Sequence, residues 1–246
     1  MIPLLNLAIE AHGGLERWRL VHAIDCKLTI GGGVWQLKGL PQGLVDVALH
    51  VEPGNRLVTI TPFGAEGAAG YFTPARVWIQ KPPGDVVQER FAPRRSFDGH
   101  TVTTPWDKLH ELYFVGYAFL NYLSTPFLLA EPGFEVTEGT PYNAGREKWR
   151  RLQVKYPADY PTHSREQTLY FNEKGLLQRL DYVVEVIQGG ASHLCLEYET
   201  VGGIVFPTHR RAIGRDPKQE EPDLSASGAI EVTISDIQIR SKRSRT

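Results

Sequence analysis

Apolar and polar residues alternate along most of the chain with the period of two expected of half-buried strands. Ile24, Cys26, Leu28 and Ile30 share one face of Ala23–Ile30, with Asp25 and Lys27 on the other. Gly31-Gly-Gly33 reads as a turn and Val34–Leu40 as the returning strand, with Trp35 and Leu37 opposite Gln36 and Lys38. Leu44–Val51 repeats the pattern, setting Val45, Val47, Leu49 and Val51 against Asp46, Ala48 and His50. Shorter strands are predicted at Arg56–Thr61, Arg76–Gln80 and Val86–Phe91, with a loop over Phe63–Gly70. From Trp149 to Ile213 alternating runs turn at Asn172-Glu-Lys-Gly175, Gln188-Gly-Gly190 and Gly202-Gly203, which predicts an antiparallel meander. Within it Leu194, Leu196 and Tyr198 are expected to face inward, opposite His193, Cys195, Glu197 and Glu199. In Ile230–Ile239 the apolar phase switches between Ile234 and Ile237, the mark of a bulge.

Two stretches follow helical spacing instead. Leu4–Ala11 is a short helix stopped by Gly13-Gly14, with a further turn over Leu15–Leu20. Trp106–Leu129 is longer. Thr103 or Thr104 can cap it, Pro105 suits a first helical position and Asp107 suits the positive end. From Leu112 to Leu123 it is apolar on nearly every side, with Asn121 the main exception, so it must be covered on all sides. The elements predict a mainly β protein of about a dozen strands with a few helices. No linker divides the chain, so residues 1–246 read as one domain: a helix at about 4–20, strands at about 22–100, a helical plug at about 105–129 and strands at about 134–240. Arg215–Ala226 reads as a polar loop and 241–246 as a disordered basic tail.

Composition narrows the functional classes. A formal net charge of −1 gives no global attraction to nucleic acid or to an anionic membrane surface. Two cysteines, Cys26 and Cys195, sit inside alternating runs and read as buried free thiols. No run approaches the roughly 20 apolar residues of a spanning helix. The first residues carry no basic leader, so the chain as written is expected in the cytoplasm, or in the periplasm if a leader was removed.

Three short motifs carry a family resemblance. They are Ala11-His-Gly-Gly-Leu-Glu-Arg-Trp18, Leu169-Tyr-Phe-Asn-Glu-Lys-Gly-Leu-Leu-Gln-Arg179 and Tyr198-Glu-Thr-Val-Gly-Gly-Ile-Val-Phe-Pro-Thr-His-Arg210. Together with the order of elements they resemble the bacterial lipoprotein-localisation (LolA/LolB-like) fold, and an uncharacterised bacterial family of similar length. The resemblance implies a strongly curved antiparallel half-barrel, an incomplete β-barrel with an N-terminal helix and a mid-chain apolar helix in its concave face. It also implies acyl-chain binding, the activity of the known carriers, in the periplasm. The motifs are structural, and no functional residue of the carriers maps onto a position here.

Four constellations are candidates for chemistry. Trp35 and the aromatic segment Trp106, His110, Tyr113, Phe114, Tyr117, Phe119, Tyr122 and Phe127 either line and lid an apolar cavity or plug the half-barrel as core. His100 and His110, with Asp98 and Asp107 nearby, have the composition of an acid–base or metal group, against the plainer reading of hydrogen-bonded histidines. Glu197 and Glu199 on the face of His193 offer paired carboxylates, but also what any exposed strand offers. Arg94-Arg95, Arg150-Arg151, Arg210-Arg211 and Arg240–Arg245 read as solvated faces and a loose tail rather than phosphate contacts. No nucleophile elbow, phosphate loop or metal spacing occurs, so no catalytic residue, cofactor or metal is assigned. The expectation is a non-enzymatic protein that binds a hydrophobic small molecule or lipid. An enzyme using the His100/His110 neighbourhood, or a partner-binding module using an open sheet edge, stands as the alternative.

Overall fold

The computed structural model describes residues 2–40, 42–216, 222 and 229–242. Fourteen strands among these residues form one antiparallel sheet: β1 (Val21–Gly31), β2 (Val47–Glu52), β3 (Leu57–Thr61), β4 (Ala69–Phe72), β5 (Arg76–Lys81), β6 (Asp85–Phe91), β7 (Glu135–Glu138), β8 (Tyr142–Ala144), β9 (Glu147–Lys155), β10 (Glu166–Phe171), β11 (Leu177–Val184), β12 (Gly189–Val201), β13 (Ile204–Arg215) and β14 (Ile230–Ser241). The spatial order is β6-β5-β4-β3-β2-β1-β14-β13-β12-β11-β10-β9-β7, with β8 beside β9. Two meanders are thus joined through the β1–β14 pair, and the edges at β6 and β7 stay apart, leaving an open half-barrel. Helices α1 (Pro3–Ala11), α2 (Leu15–Arg19), α3 (Val34–Leu37) and α4 (Lys108–Ser124) accompany the sheet.

The corners at Asn172–Gly175 and Gly202-Gly203 lie where the sequence places them, whereas the corner expected at Gln188–Gly190 falls earlier, at residues 185–188, with Gly189 and Gly190 already in β12. Asn172 builds one: its Oδ1 accepts the Lys174 and Leu176 N–H groups, each at 3.0 Å, and Gly175 takes φ +83°. The bulge between Ile234 and Ile237 is also present, with Asp236 at φ +53° and a register shift against Asp25–Lys27 of β1.

Several elements differ from expectation. Val34–Leu40 is not a strand; Val34–Leu37 is a helical turn. Strand β1 is already paired on both sides, by β2 and β14, so the sheet has no place for a return strand there. Gly32, at φ +112°, turns the chain away with its Cα against the Ala229 carbonyl, where a Cβ would lie 2.5 Å from that oxygen. Strand β2 begins at Val47, so Val45 is exposed rather than buried. Ala69 and Gly70, assigned to a loop, open β4. The cap of α4 is Asp107, not Thr103 or Thr104: its carboxylate accepts the His110 N–H at 2.9 Å, and the His110 ring accepts the Asp107 N–H at 3.2 Å.

The phase of β12 is inverted. His193 pairs with the buried Leu180 of β11 and Ala212 of β13 and is itself buried, as is Cys195, while Leu196 is 42% exposed; bulges at Cys195–Glu197 and Glu197–Tyr198 then shift the register of the rest of the strand. Glu197 therefore does not share the environment of His193, and the paired-carboxylate constellation is not formed. At the C-terminus Ser241 still belongs to β14, and the Lys242 N–H donates to the Leu20 carbonyl at 2.8 Å. Residues 243–246 of the expected tail lie outside the described residues, as does most of the Arg215–Ala226 loop.

Helix α4 lies in the concave face, and every residue from Leu109 to Ser124 is buried, as its all-round apolarity requires. Toward β4 it approaches closely because two glycines face each other's neighbours. A Cβ at Gly116 would lie 2.3 Å from Phe72 Cγ, and one at Gly70 would lie 2.8 Å from Leu112 Cδ1. Near its end, Pro126 has no N–H to give the Tyr122 carbonyl. The Arg210 guanidinium supplies the missing donor at 3.1 Å. Arg210 is therefore not a solvated surface cation; it is fully buried at the negative end of a helix. Four of the other basic positions form ion pairs: Arg94 with Glu185 at 2.5 Å, Arg150 with Glu138 at 2.8 Å, Arg211 with Glu231 at 2.6 Å, and Arg240 with Asp25.

Candidate functional site

On the flank of α4 that faces β11–β14, the concave face is not filled. A cavity of about 570 Å³ lies there, within the roughly 300–1,000 Å³ of ordinary ligand sites. Val115, Ala118, Phe119 and Tyr122 line it from α4, at the i, i+3, i+4, i+7 spacing of one helical face. Ile30, Val34, Trp35, Val184, Ala191 and Val232 face them from the strands and α3. Leu37 and Val102 also line it while being 52% and 38% exposed, so the mouth presents apolar side chains to solvent.

The inner end is polar. Tyr122, His163, Tyr182 and His193 line it. The Tyr122 hydroxyl lies 2.7 Å from His163 Nε2 and 3.1 Å from the Tyr182 hydroxyl, which lies 3.1 Å from His193 Nδ1. The His163 and Tyr182 rings stack at 4.3 Å. Burial holds both imidazoles neutral: it pulls His163 down to about 3, helped by the charge of Arg94, and His193 well below its usual 6.5, helped by Arg210.

Of the residues expected to line a cavity, Trp35, Phe114, Phe119 and Tyr122 do so. Trp106, His110 and Tyr113 instead surround Phe97 in an aromatic cluster at the start of α4, with ring centroids 5.6, 4.7 and 5.6 Å from it. Tyr117 sits behind the lining, its hydroxyl 3.0 Å from His163 Nδ1. Phe127 stacks on Trp18 of α2 at 4.5 Å, at the other end of the helix. His100 and His110 do come together, with ring centroids 5.0 Å apart, and His110 lies beside Asp107 rather than Asp98. They pack against Phe97, which does not line the cavity. Near them Lys38 Nζ donates to the Thr101 carbonyl at 2.8 Å and sits over the Trp106 ring, and burial lowers its pKa to about 8. Among the described residues no three His, Cys, Asp or Glu side chains are grouped to hold a metal ion.

His163 and His193, which sequence reasoning did not place in the site, are its central polar groups. His193 was hidden by the inverted phase of β12. His163 carried no signal beyond being a histidine in a Pro-rich loop. No helix among the described residues is long and apolar enough to cross a membrane.

No family model and no curated protein matches the chain. Solved structures do. A LolA superfamily protein from Nitrosomonas europaea is 12% identical, with 96% of this chain and 92% of that chain covered and a TM-score of 0.54. A DUF1329 family protein from Desulfovibrio piger is 10% identical over 96% of this chain and 91% of that one, with a TM-score of 0.45. At such identities the likeness speaks for the backbone and not for the chemistry. An open antiparallel half-barrel, closed at neither edge and wrapped around a buried central helix, is a LolA-like fold.

Proposed function

We propose that the protein binds an apolar ligand, a lipid or another molecule with a long hydrocarbon part, in the cavity between α4 and β11–β14. One observation carries this reading: about 570 Å³ lined mainly by aliphatic and aromatic side chains, reached through a mouth where Leu37 and Val102 are exposed. Interiors are ordinarily filled to the density of organic crystals, so a void of this size in an otherwise interdigitated core costs stability unless a ligand fills it. Burial of hydrocarbon supplies roughly 25 cal/mol per Å² before ordering costs are met. No part of the reading needs a catalytic group. The Nitrosomonas protein of the same fold belongs to the LolA superfamily, and a half-barrel around a helix is a scaffold suited to an apolar guest. The test is native mass spectrometry of the protein, with organic extraction and identification of whatever accompanies it. A displaceable fluorescent apolar probe then measures affinity. A protein that carries nothing and takes up no apolar probe would rule the reading out.

A further inference from the structure

The polar end of the cavity carries a hydrogen count that does not close. Five groups run in line, joined by four contacts: Tyr117 hydroxyl to His163 Nδ1 (3.0 Å), His163 Nε2 to the Tyr122 hydroxyl (2.7 Å), Tyr122 to the Tyr182 hydroxyl (3.1 Å), and Tyr182 to His193 Nδ1 (3.1 Å). Three hydroxyls and two neutral imidazoles bring one hydrogen each, five in all for four contacts, so one hydrogen is left over.

Four arrangements use all four contacts, because the Tyr122 or Tyr182 hydroxyl can also accept from both neighbours; with the spare hydrogen on either of these, His193 carries its own on Nδ1 and its Nε2 is a bare acceptor, so two groups are stranded. The other two are ordered along the line. If every hydrogen points toward Tyr117, the Tyr117 hydroxyl hydrogen is left over. That oxygen has no other hydrogen-bond partner among the described residues, and Tyr117 is fully buried. His193 Nε2 is then a bare acceptor as well, so two groups are stranded. If every hydrogen points away from Tyr117, each donor along the line meets an acceptor, and only His193 Nε2–H is left. The second arrangement strands one group rather than two and is the better satisfied. Tyr182, by donating to Nδ1, holds His193 in the Nε2–H tautomer.

His193 is 2% exposed and lines the cavity; its Nε2 has no partner among the described residues and lies just beneath the lining, so a guest's oxygen reaches it only as the lining gives way. Buried donors of this kind are costly in isolation and are ordinarily satisfied. Arg210 stands close enough to depress the His193 pKa, but its hydrogen bonds go to the Tyr122 carbonyl, the Pro207 carbonyl and Cys195 Sγ, at 3.1, 3.3 and 3.6 Å. Among the described residues no side-chain cation lines the cavity. A carboxylate there would be desolvated without a direct counter-ion, whereas an uncharged carbonyl needs only the one donor.

The geometry points to a ligand of mixed character: a hydrocarbon body along the apolar lining and one uncharged acyl carbonyl, from an ester or an undissociated acid, accepting a hydrogen bond from His193 Nε2–H at the inner end. This rests on the apolar-ligand reading above and adds to it which end of the guest goes in first. His193 is the binding residue and Tyr182 its positioning residue.

Displacement of a fluorescent apolar probe by methyl hexadecanoate, hexadecanoate ion at pH 8 and hexadecane tests it. The ester should bind the wild type roughly 10-fold more tightly than the alkane, the difference one satisfied hydrogen bond makes, and more tightly than the ion. His193→Phe, which keeps a ring and removes the donor, should bring the ester-to-alkane ratio close to one while leaving the alkane's affinity nearly unchanged. Tyr182→Phe should lower the ratio in part, since the other tautomer becomes available. An unchanged ratio in His193→Phe overturns the assignment, as does wild-type protein that binds ester and alkane equally; the apolar-ligand reading survives both. Failure to bind any of the three guests ends both. Should His193→Phe not fold, the ¹⁵N resonance of Nε2 in wild-type protein decides. It should shift on adding ester and stay in place on adding alkane, and a resonance unmoved by ester counts against the proposal.

Discussion

Helix α4 meets the sheet in two different ways. Toward β3, β4 and β5 it does so by direct apolar contact, with Gly116 against Phe72 and Gly70 against Leu112, too close for a Cβ to be added without displacement. Toward β11, β12 and β13 it stands off across a cavity and is tied by polar bridges: Tyr122 to His163 and Tyr182, and Arg210 to the Tyr122 carbonyl. Small residues serve opposite ends on the two flanks. Glycines on the closed flank let backbones approach, while Ala118, Ala191 and Ala212 on the open flank leave volume that no side chain fills. The closed flank holds the helix in place, so the open flank can remain unfilled without the plug being lost.

Acid should separate the flanks most strongly. His163 and His193 are buried and neutral at the open flank, and His12, whose pKa burial lowers to about 4, is buried at the end of α1. Each folded-state pKa lies below the unfolded value of about 6.5, so the unfolded chain binds the extra protons. Stability is therefore fully present above pH 6.5 and falls as pH drops from 6.5 toward 4, by at most about 1.4 kcal/mol per pH unit for each histidine. Across that window the loss is on the order of several kcal/mol, most of a typical domain's stability. Hydrogen exchange at pH 7 and pH 5 locates it. Protection should fall first in β11–β13 and persist in β3–β5; the reverse order would show that the polar bridges are not the acid-sensitive part.

Gly116→Ala tests the closed flank. Ala gains about 1 kcal/mol of helix propensity over Gly, but the new methyl would sit 2.3 Å from Phe72 Cγ and 2.5 Å from Phe72 Cβ. Overpacking of that severity costs about 3 kcal/mol or more, so the clash outweighs the propensity. Urea unfolding should show a midpoint well below wild type. An unchanged midpoint would mean that α4 is not seated against β4 as described.

How much of this was legible in the sequence follows the same division. The burial of α4 was readable, because a helix apolar on all sides has no other stable environment. Two of the three meander corners and the Ile234–Ile237 bulge were readable from local turn chemistry and phase, while the glycines at 189 and 190 drew the third corner too far along the chain. The helical turn at Val34–Leu37 was not, since its cause is remote: β14, some two hundred residues away, already occupies the edge of β1. The phase of β12 differs from the reading because Leu194 and Leu196 are more apolar than His193 and Cys195, and the pairing of His193 with Leu180 and Ala212 that turns it inward leaves no mark in composition. The cavity was the hardest to see, because a void is the sum of what Ala118, Ala191 and Ala212 lack. Helical spacing held a usable signal all the same. Val115, Ala118, Phe119 and Tyr122 form one face of α4, and that face, not the aromatic run as a whole, lines the site.

Ala118→Leu probes the open flank, two positions from Gly116 in the same helix, and sharpens the comparison most directly. Ala118 is 3% exposed and lines the cavity, so the longer side chain has space where Gly116→Ala has none. Three added carbons bring roughly 2 kcal/mol of burial at about 0.8 kcal/mol per group, offset by side-chain ordering and imperfect fit. The expected change in stability is within about 1 kcal/mol of zero. Capacity for an apolar probe should nonetheless fall clearly, because the added volume comes out of the ligand's space. Equal destabilisation by Ala118→Leu and Gly116→Ala would mean both flanks are packed alike. Unchanged probe binding alongside unchanged stability would mean the probe sits elsewhere. Stability retained with binding lost is the outcome that separates a helix face that holds the fold from one that holds a guest.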